Sequence, residues 1–388
     1  MKRKYELADV VRRFGKQLMQ RETLSPLQIK TLFNIVQCRT AALGWYEEIC
    51  TCCGHVRYNY NSCGDRHCPK CQFTKQALWV EQLIQTTLPV KHYHVIFTVP
   101  HCLNKICLWD NRMFYKLLFR AVWSTLHSFG YTHYGVETGA VAVLHTWGQK
   151  LWLHPHVHCL VPAAGYTLDG RWKPIGETGR FLYPVYQLSD DFKGKFLDSL
   201  KRKLKKVNMY DAFDKYIQQA YKKPWVVHSE PSMATPDKVI QYLGQYTHRV
   251  AIANHRILKV TGTHVTFIAK DYREKALPKP VSLDGVEFLR RFCQHVLPAR
   301  FVKVRRFGIY NHTTKRYMGL EFGNETIETV KPKKKEKETA GETLKRLTGY
   351  DITICPNCKK GTMVVISEMP RIRSPAGHLP SLLLSLLS

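Results

Sequence analysis

Apolar and polar positions alternate along the chain with two periods, one typical of helices and one typical of strands. Residues 5–37 carry apolar side chains at helical spacing. Within them, Ser25 and Pro26 form a plausible N-cap and first turn, so we predict two short helices. The same spacing predicts further helices over residues 104–129, the strongly basic segment 189–206, and residues 236–249.

Strand-like segments, rich in β-branched and aromatic residues, lie between these helices. Residues 92–99 are the clearest example, because Pro100 ends a run of uniformly strand-forming side chains. Strands interleaved with helices over roughly residues 90–270 predict a mixed fold of the α/β or α+β class. The remaining strands are predicted at residues 138–147, at 152–161, and as a pair across 257–269.

Composition divides the chain into three predicted parts. Residues 1–85 combine helices with a segment dense in Cys, Gly, Asn and aromatic residues, which is typical of a small domain folded around a metal ion. Residues 86–310 carry the mixed fold. Residues 311–388 contain a charged, solvated linker, KPKKKEKE at 331–338, and a short C-terminal segment.

The charge of the chain points to a polyanionic partner. The 388 residues include 59 Lys and Arg against 30 Asp and Glu, a formal net charge of +29, and the 44% hydrophobic content excludes wholesale disorder. Nucleic acid is the first candidate partner and an anionic membrane surface the second. We find no apolar run of about 18 residues and no secretory signal, so we expect a cytoplasmic protein that binds nucleic acid.

The cysteines predict a structural metal site. Thirteen cysteines are an odd number, and several form CxxC pairs, which in a reducing cytoplasm favours metal binding over disulfides. Two pairs, Cys50/Cys53 and Cys68/Cys71, supply the four thiolates that tetrahedral zinc prefers, with Cys63 as the first substitute. Four thiolates leave no open coordination position, so this zinc is structural. The alternative is a set of reduced cysteines in a loop-rich region.

A third CxxC pair, Cys355/Cys358, lies in the C-terminal segment and is half of a metal site. It binds metal weakly, recruits His378, or caps a turn; the sequence leaves these alternatives open.

Two histidines on one predicted strand form a second candidate metal site. On a strand, His156 and His158 share a face while Val157 points into the core. Two imidazoles one pleat apart can hold a divalent ion and leave positions for phosphate oxygens. His154 has the same parity and is either a third ligand or a neighbour. The pair at His92 and His94 has the same spacing, and such pairs are usually solvated or bonded to the backbone.

Two tyrosines in the predicted helix 236–249 are candidate nucleophiles. Tyr242 and Tyr246 are four residues apart, so their hydroxyls lie on one helix face. An aromatic stripe of this kind more often packs on a core. Here the neighbours are polar or basic, which favours a tyrosine that attacks phosphate beside a metal ion: Gln241, Gln245, His248 and Arg249.

Taken together and in this order, these motifs resemble those of HUH-class (His-hydrophobe-His) rolling-circle transposases, specifically the two-tyrosine insertion-sequence transposases of the IS91 type. The resemblance covers about residues 10–310. The matching segments are NSCGDRHCPKCQ at 61–72, HVIFTVPHCLN at 94–104, HTWGQ at 145–149, HPHVHCLVPAAG at 154–165 and YLGQYTHRVAIANHR at 242–256.

The resemblance implies an α+β fold, with an N-terminal zinc-binding domain and a nuclease domain built on a central antiparallel sheet flanked by helices. It implies that His156 and His158 coordinate Mg²⁺ or Mn²⁺, with Gln245 as the assigned third ligand and Gln241 and His154 as alternatives. Tyr242 or Tyr246 then attacks single-stranded DNA at an element's end, which leaves a 5′-phosphotyrosine and a free 3′-OH.

The resemblance also implies that basic side chains follow the DNA backbone; the candidates are Lys201, Arg202, Lys205 and Arg249. For the helical run, a solvated face is an equally good interpretation. Two alternative functions remain: a zinc-dependent DNA-binding protein without nuclease activity, and an inactive transposase remnant. The histidine and tyrosine pairs favour the enzyme, because binding alone requires neither.

Overall fold

The computed structural model describes residues 5–71, 90–176, 181–233, 250–271, 277–311 and 338–370, with isolated positions between 78 and 88 and at 313–314. The chain divides into two compact units, which are described separately. Unit 1 comprises Met1–Trp79, His248–Val296 and Ile327–Ser388, and unit 2 comprises Val80–Thr247 and Leu297–Thr326. This division differs from the sequential one expected from composition, because distant segments pair within unit 1.

The two helices predicted at the start of the chain are present in unit 1. Helix α1 spans Leu7–Arg21 and α2 spans Pro26–Gln37. At the start of α2, the Gln28 backbone N–H donates to Ser25 Oγ (3.3 Å) and the Ser25 N–H donates to Gln28 Oε1 (2.8 Å). This capping box satisfies two backbone donors that the helix leaves open.

Two small antiparallel sheets complete unit 1. In the first, β1 (Trp45–Cys50) lies between β2 (Val56–Tyr60) and β14 (Met363–Met369), so a C-terminal strand joins the N-terminal hairpin. The second sheet confirms the strand pair predicted across 257–269 and adds a third strand. Its members are β10 (Ile257–Val260), β11 (His264–Asp271) and β12 (Leu277–Asp284), and unit 1 also contains helices α7 (Gly285–Cys293) and α8 (Ala340–Thr348).

Unit 2 is built on a five-stranded antiparallel sheet with strand order β13–β5–β6–β3–β9. The strands predicted at 92–99, 138–147 and 152–161 are its three central members. The bounds are β3 His92–Thr98, β5 Gly139–Trp147, β6 Leu153–Pro162, β9 Val226–Met233 and β13 Val304–Gly308. A smaller sheet contains β4 (Val136–Glu137), β7 (Ala164–Thr167) and β8 (Trp172–Pro174).

Four described α-helices belong to unit 2. The helix predicted over 104–129 is divided at Asp110, whose carboxylate accepts a hydrogen bond from the Met113 N–H (2.9 Å) and so begins a new helix. The basic helix predicted from 189 begins earlier, at Val185. The helices are α3 Asn104–Trp109, α4 Asn111–Phe129, α5 Val185–Lys206 and α6 Tyr210–Lys222.

One face of the five-stranded sheet packs against α4 and α5. Phe97 of β3 and Val157 of β6 are fully buried in this core, where Phe97 meets Phe192 of α5 edge to face at 5.0 Å. Because side chains alternate along a strand, this packing directs His156 and His158 to the opposite face. The core thus fixes which face of the sheet carries the candidate chemistry.

Two predicted segments lie outside the described residues: the helix over 236–249 and residues 331–337 of the charged linker. Among the helices that are described, none combines the length and apolar character needed to cross a membrane.

Candidate active site and cysteine clusters

Three histidines meet on the face of the unit 2 sheet opposite the α4 and α5 core. His156 of β6 pairs directly with His145 of β5, and His158 follows two residues later on the same face. One ligand nitrogen from each of the three lies within 4.8 Å of those of the others. The sequence predicted the pair His156 and His158, whereas His145 comes from a neighbouring strand and was recognised only as part of a motif.

The surroundings of His156 favour a neutral imidazole, the form that binds metal ions. Burial, with a smaller contribution from His154, lowers the pKa of His156 to about 3. By solvent exposure His145 and His158 are buried and His156 is half-buried, and the Trp147 ring stacks on His145 with ring centroids 4.9 Å apart.

Hydrogen bonds orient two of these rings. The backbone carbonyl of His154 accepts from His156 Nδ1 at 2.7 Å, so His156 turns Nε2 toward the cluster as the nitrogen with a lone pair. The His154 side chain stacks on His101, with ring centroids 5.2 Å apart, and does not belong to the three-histidine cluster. His154 therefore lies beside the site and contributes its backbone.

A carboxylate–histidine chain supports His158. Glu230 Oε2 lies 2.9 Å from His94 Nδ1, and His94 Nε2 lies 2.9 Å from His158 Nδ1. The bond from His94 holds the pKa of Glu230 below its usual value. If His94 donates to the carboxylate, its Nε2 accepts the proton of His158 Nδ1, and His158 Nε2 is then available as a ligand.

The position of His94 beside the histidine cluster was not predicted from the sequence. Its HxH pattern with His92 has the spacing of solvated or backbone-bonded pairs, and His92 does donate from Nδ1 to the Val90 carbonyl at 2.7 Å. His94, in contrast, lies opposite Glu230 in the β3–β9 register and adjacent to the histidine cluster. The sequence feature that could have found it is the alternation of side chains along a strand. Once β3 and β6 are paired, this alternation places His94 on the same face as His158.

Several predicted site residues lie outside the described part of the chain. They are both candidate nucleophiles, the assigned third ligand and one DNA-binding candidate: Tyr242, Tyr246, Gln245 and Arg249.

Eight of the thirteen cysteines form two clusters, both within unit 1. The first contains Cys38, Cys63, Cys68 and Cys71, with Cys71 Sγ lying 3.4 Å from that of Cys38 and 3.6 Å from that of Cys63. Cys63, the substitute named from the sequence, is thus grouped with the CxxC pair at 68/71. Cys38, at the end of α2, was not singled out by any spacing.

The second cluster contains Cys50, Cys53, Cys355 and Cys358. The single site expected from the two N-terminal CxxC pairs is therefore divided, with one pair in each cluster. The physical reason is β2, which runs between the pairs. A strand of five residues spans roughly 17 Å, too far for both pairs to reach one ion. The C-terminal pair, half of a candidate site in the sequence, lies together with Cys50/Cys53 in this cluster.

The basic helix candidates lie at the C-terminal end of α5. Lys201 and Lys205 place their Nζ atoms 5.7 and 5.4 Å from the centre of the Tyr210 ring. Arg202 is exposed and pairs with Asp198 at 2.7 Å. Because Leu200 and Leu204 bury the opposite side of the helix, these cations form its exposed face.

A second basic surface, absent from the sequence-based predictions, is a cleft of about 520 Å³ in unit 2. Five cationic side chains line it, and no acidic one does among the described residues. Phe301 and Phe307 supply an aromatic part, and Arg305 lies 4.2 Å over the Phe119 ring. The cations are Arg112, Lys116, Arg300, Arg305 and Arg306.

Comparison with known proteins finds matches to transposases. Residues 139–317, which include the histidine strands, match the family described as "Putative transposase", and residues 10–99 match the "Transposase zinc-binding domain". The chain is 38% identical over 387 residues to the "Putative transposase y4qJ" of Sinorhizobium fredii, covering 95% of this chain and 97% of that protein. It is 27% identical over 298 residues to the transposase for insertion sequence element IS801 of Pseudomonas savastanoi pv. phaseolicola, covering 75% and 72%.

No solved structure shows a significant match to the chain. The two family models and the long alignment with a transposase are sufficient for assignment: the chain belongs to the IS91-type transposases with an N-terminal zinc-binding domain.

Proposed function

We propose that this transposase cuts and rejoins single-stranded DNA at the ends of an insertion sequence, through a 5′-phosphotyrosine intermediate and with a divalent metal ion, in rolling-circle transposition. The observation that carries the proposal is the cluster of His145, His156 and His158 on the face of the sheet opposite the α4 and α5 core. Three imidazoles that converge on one region are a donor set typical of a metal site, and DNA binding alone does not require them.

The donor set fits a divalent ion. Hydrogen bonds direct Nε2 of His156 and of His158 to the same region, and His145 adds a third nitrogen from the paired strand. Three imidazoles favour a softer ion, so Mn²⁺ suits the described residues better than Mg²⁺, and an oxygen from Gln245 would improve the fit for either. When bound, the ion stabilises the negative charge that develops on the phosphate oxygens.

The reaction requires a nucleophile from the chain, for which the candidates are Tyr242 and Tyr246. The tyrosine oxygen forms a bond to phosphorus, the P–O3′ bond breaks, and the departing 3′ oxygen takes up a proton. The tyrosine proton leaves during attack, because the ordinary pKa of the phenol is about 10. Two tyrosines permit one to hold the donor strand while the other acts on the next.

The basic cleft of unit 2 and the exposed face of α5 are the proposed path of the DNA strand. Cations neutralise phosphates, and aromatic rings such as Phe307 offer stacking surfaces for unpaired bases. We include Arg249 among the side chains that contact the DNA, because it is basic and lies close in sequence to Tyr242 and Tyr246.

The first cysteine cluster is the proposed site of the structural zinc in the zinc-binding domain. Its four thiols converge, and all four belong to the segment that matches that domain. Four thiolates satisfy tetrahedral zinc and leave no position for substrate, so the ion stabilises the fold.

The test is formation of a covalent adduct. Purified protein is mixed with Mn²⁺ and 3′-labelled single-stranded DNA that carries the element's ends, and an SDS-resistant protein–DNA band is expected. The label is placed 3′ of the cut because that strand retains the 5′-phosphotyrosine. Tyr242→Phe with Tyr246→Phe should abolish the band, whereas Tyr186→Phe, which changes an exposed tyrosine of α5, should not.

Other outcomes distinguish the alternatives. An undiminished adduct in the double variant excludes these tyrosines as nucleophiles. DNA binding without an adduct, across several end sequences and with both metals, favours a zinc-dependent DNA-binding protein or an inactive remnant. Full cleavage in EDTA contradicts the role of the metal.

A further inference from the structure

We infer that Cys50, Cys53, Cys355 and Cys358 bind a second structural zinc ion, which joins the C-terminal segment to the N-terminal hairpin of unit 1. The segment that matches the zinc-binding domain ends at residue 99, so it includes only half of these ligands. The inference goes beyond the proposed DNA chemistry and does not depend on it.

The sulfur positions fit a tetrahedral ion. Cys50 Sγ lies 3.7 Å from Cys358 Sγ, and Cys53 Sγ lies 3.7 Å from Cys355 Sγ. A zinc–sulfur bond of about 2.3 Å gives about 3.8 Å between the sulfurs of a regular tetrahedron. Disulfides would require about 2.05 Å, and all four cysteines are free thiols. The separations therefore correspond to a shared ion.

The two CxxC loops repeat the same local geometry. In the first, the Gly54 N–H donates to the Cys50 carbonyl at 3.1 Å, and in the second the Lys359 N–H donates to the Cys355 carbonyl at 3.0 Å. The residue after each pair adopts a left-handed backbone conformation, with φ of +68° at Gly54 and +59° at Lys359. A lysine rarely adopts this conformation, so its presence in a matching loop indicates a constraint on the turn.

Backbone donors point at the sulfurs. The Cys52 N–H lies 3.4 Å from Cys50 Sγ, and the Gly361 N–H lies 3.4 Å from Cys358 Sγ. Contacts of this kind orient the sulfurs, as outer partners do around metal ligands.

Gly361 also allows the two loops to approach each other. A Cβ atom at this position would lie 2.4 Å from Cys50 Sγ and 2.6 Å from Cys52 Cβ, which no real side chain tolerates. The backbone of one loop thus packs directly on the sulfur of the other, and only glycine leaves room for that sulfur.

Strand pairing places the halves together. β1 and β14 are antiparallel, with Cys50 opposite Met363, so the loop before β14 lies at the end of β1 that carries Cys50 and Cys53. The ligands are about 300 residues apart in sequence, and a cross-link that closes so long a loop removes much conformational entropy from the unfolded chain. The ion therefore fixes the C-terminal strand onto the N-terminal hairpin.

The test counts zinc in the full-length protein by mass spectrometry of the metal. We expect two zinc ions per chain in the wild type. Cys355→Ser with Cys358→Ser should retain one, as should Cys68→Ser with Cys71→Ser, because the clusters share no ligand. Cys102→Ser, a half-buried cysteine of unit 2 outside both clusters, should retain two.

Two further measurements distinguish loss of a zinc ligand from misfolding of the variant. Cys358→His, which keeps a zinc ligand at a half-buried position, should retain two ions, whereas Cys358→Ala should retain one. Wild-type protein loaded with Co²⁺ should bind two ions that both give tetrathiolate absorption. One metal ion per wild-type chain, or an unchanged count in the Cys355/Cys358 variant, would overturn the inference. Neither result depends on whether the protein cleaves DNA.

Discussion

His94 Nε2 lies 2.9 Å from His158 Nδ1, and the two rings are nearly parallel, with 8° between their planes. Glu230 holds the other nitrogen of His94, so a hydrogen-bonded chain runs from a carboxylate on β9 through β3 to the candidate metal ligand on β6. The chain fixes both the tautomer and the orientation of His158, which is the usual role of a partner behind a metal-binding histidine.

Glu230→Gln tests this chain. The change keeps the size of the side chain but removes the charge that fixes the tautomer, so we expect the Mn²⁺ concentration for half-maximal cleavage to rise by about 10–100-fold. DNA binding should stay unchanged. His127→Ala removes a similar His–carboxylate pair, His127 with Glu137, that is not connected to the three histidines, and should leave the Mn²⁺ requirement as it is. Equal effects in both variants would contradict the chain.

His145→Ala tests the third ligand. Loss of a direct ligand should reduce cleavage at least as much as loss of an outer partner, so we expect a decrease of about 100-fold or more, partly restored by high Mn²⁺. Gln245→Ala tests in the same assay the third ligand that was assigned from the sequence. His154→Ala is the control, because the hydrogen bond to His156 comes from the His154 backbone and survives the change. Full activity in His145→Ala would exclude it as a ligand.

Removal of zinc should unfold unit 1. Structural zinc contributes apparent binding free energies of roughly 10–16 kcal/mol in small domains, as much as the whole stability of most proteins. A strong chelator should therefore reduce the far-UV circular dichroism signal and expose the region around Cys63 and Cys68 to protease. Added Zn²⁺ should reverse both changes and added Mg²⁺ should not. Unchanged spectra and protease resistance after verified zinc loss would contradict the assignment.

Gly361→Ala should remove one zinc ion of the two, because the new Cβ displaces the Cys50 sulfur. The first cluster should keep its ion. Gly194→Ala, in α5, is the matched control: no atom lies within 4 Å of its added Cβ, and it should leave the zinc count unchanged while stabilising the helix by about 1 kcal/mol. A Gly361→Ala protein that still holds two ions would argue against close packing of the two loops.

Neutralising the basic cleft should weaken DNA binding in a salt-dependent way. If Lys116 and Arg306 each contact one phosphate, Lys116→Gln with Arg306→Gln should reduce the slope of log affinity against log salt by about 1.4 for single-stranded DNA. Arg171→Gln is the control, since that arginine is exposed and already paired with Asp169. Lys201→Gln with Lys205→Gln tests α5 separately. If the salt slope falls in this variant and not in the cleft variant, the DNA contacts α5 and not the cleft.

Local features were predictable because they depend on neighbours in sequence. Ser25 and Gln28 form a capping box whatever surrounds them, and the spacing of Val157 between two histidines determines that His156 and His158 share a face. The helix over 104–129 was predicted as continuous because apolar periodicity continues through Asp110, where side-chain capping interrupts it.

The sequence by itself determined the types of element, the HxH pair, the presence of paired cysteines and the resemblance to a transposase family. Only the tertiary structure decided which elements meet. Periodicity fixes the face of a strand but not its neighbour, so it could not place His145 beside His156 or His94 behind His158. In the same way, the CxxC spacing identifies half of a candidate metal site, while the pairing of β1 with β14 brings Cys355 and Cys358 to Cys50 and Cys53. Contacts between residues hundreds of positions apart depend on the packing of the whole chain, which no local pattern records.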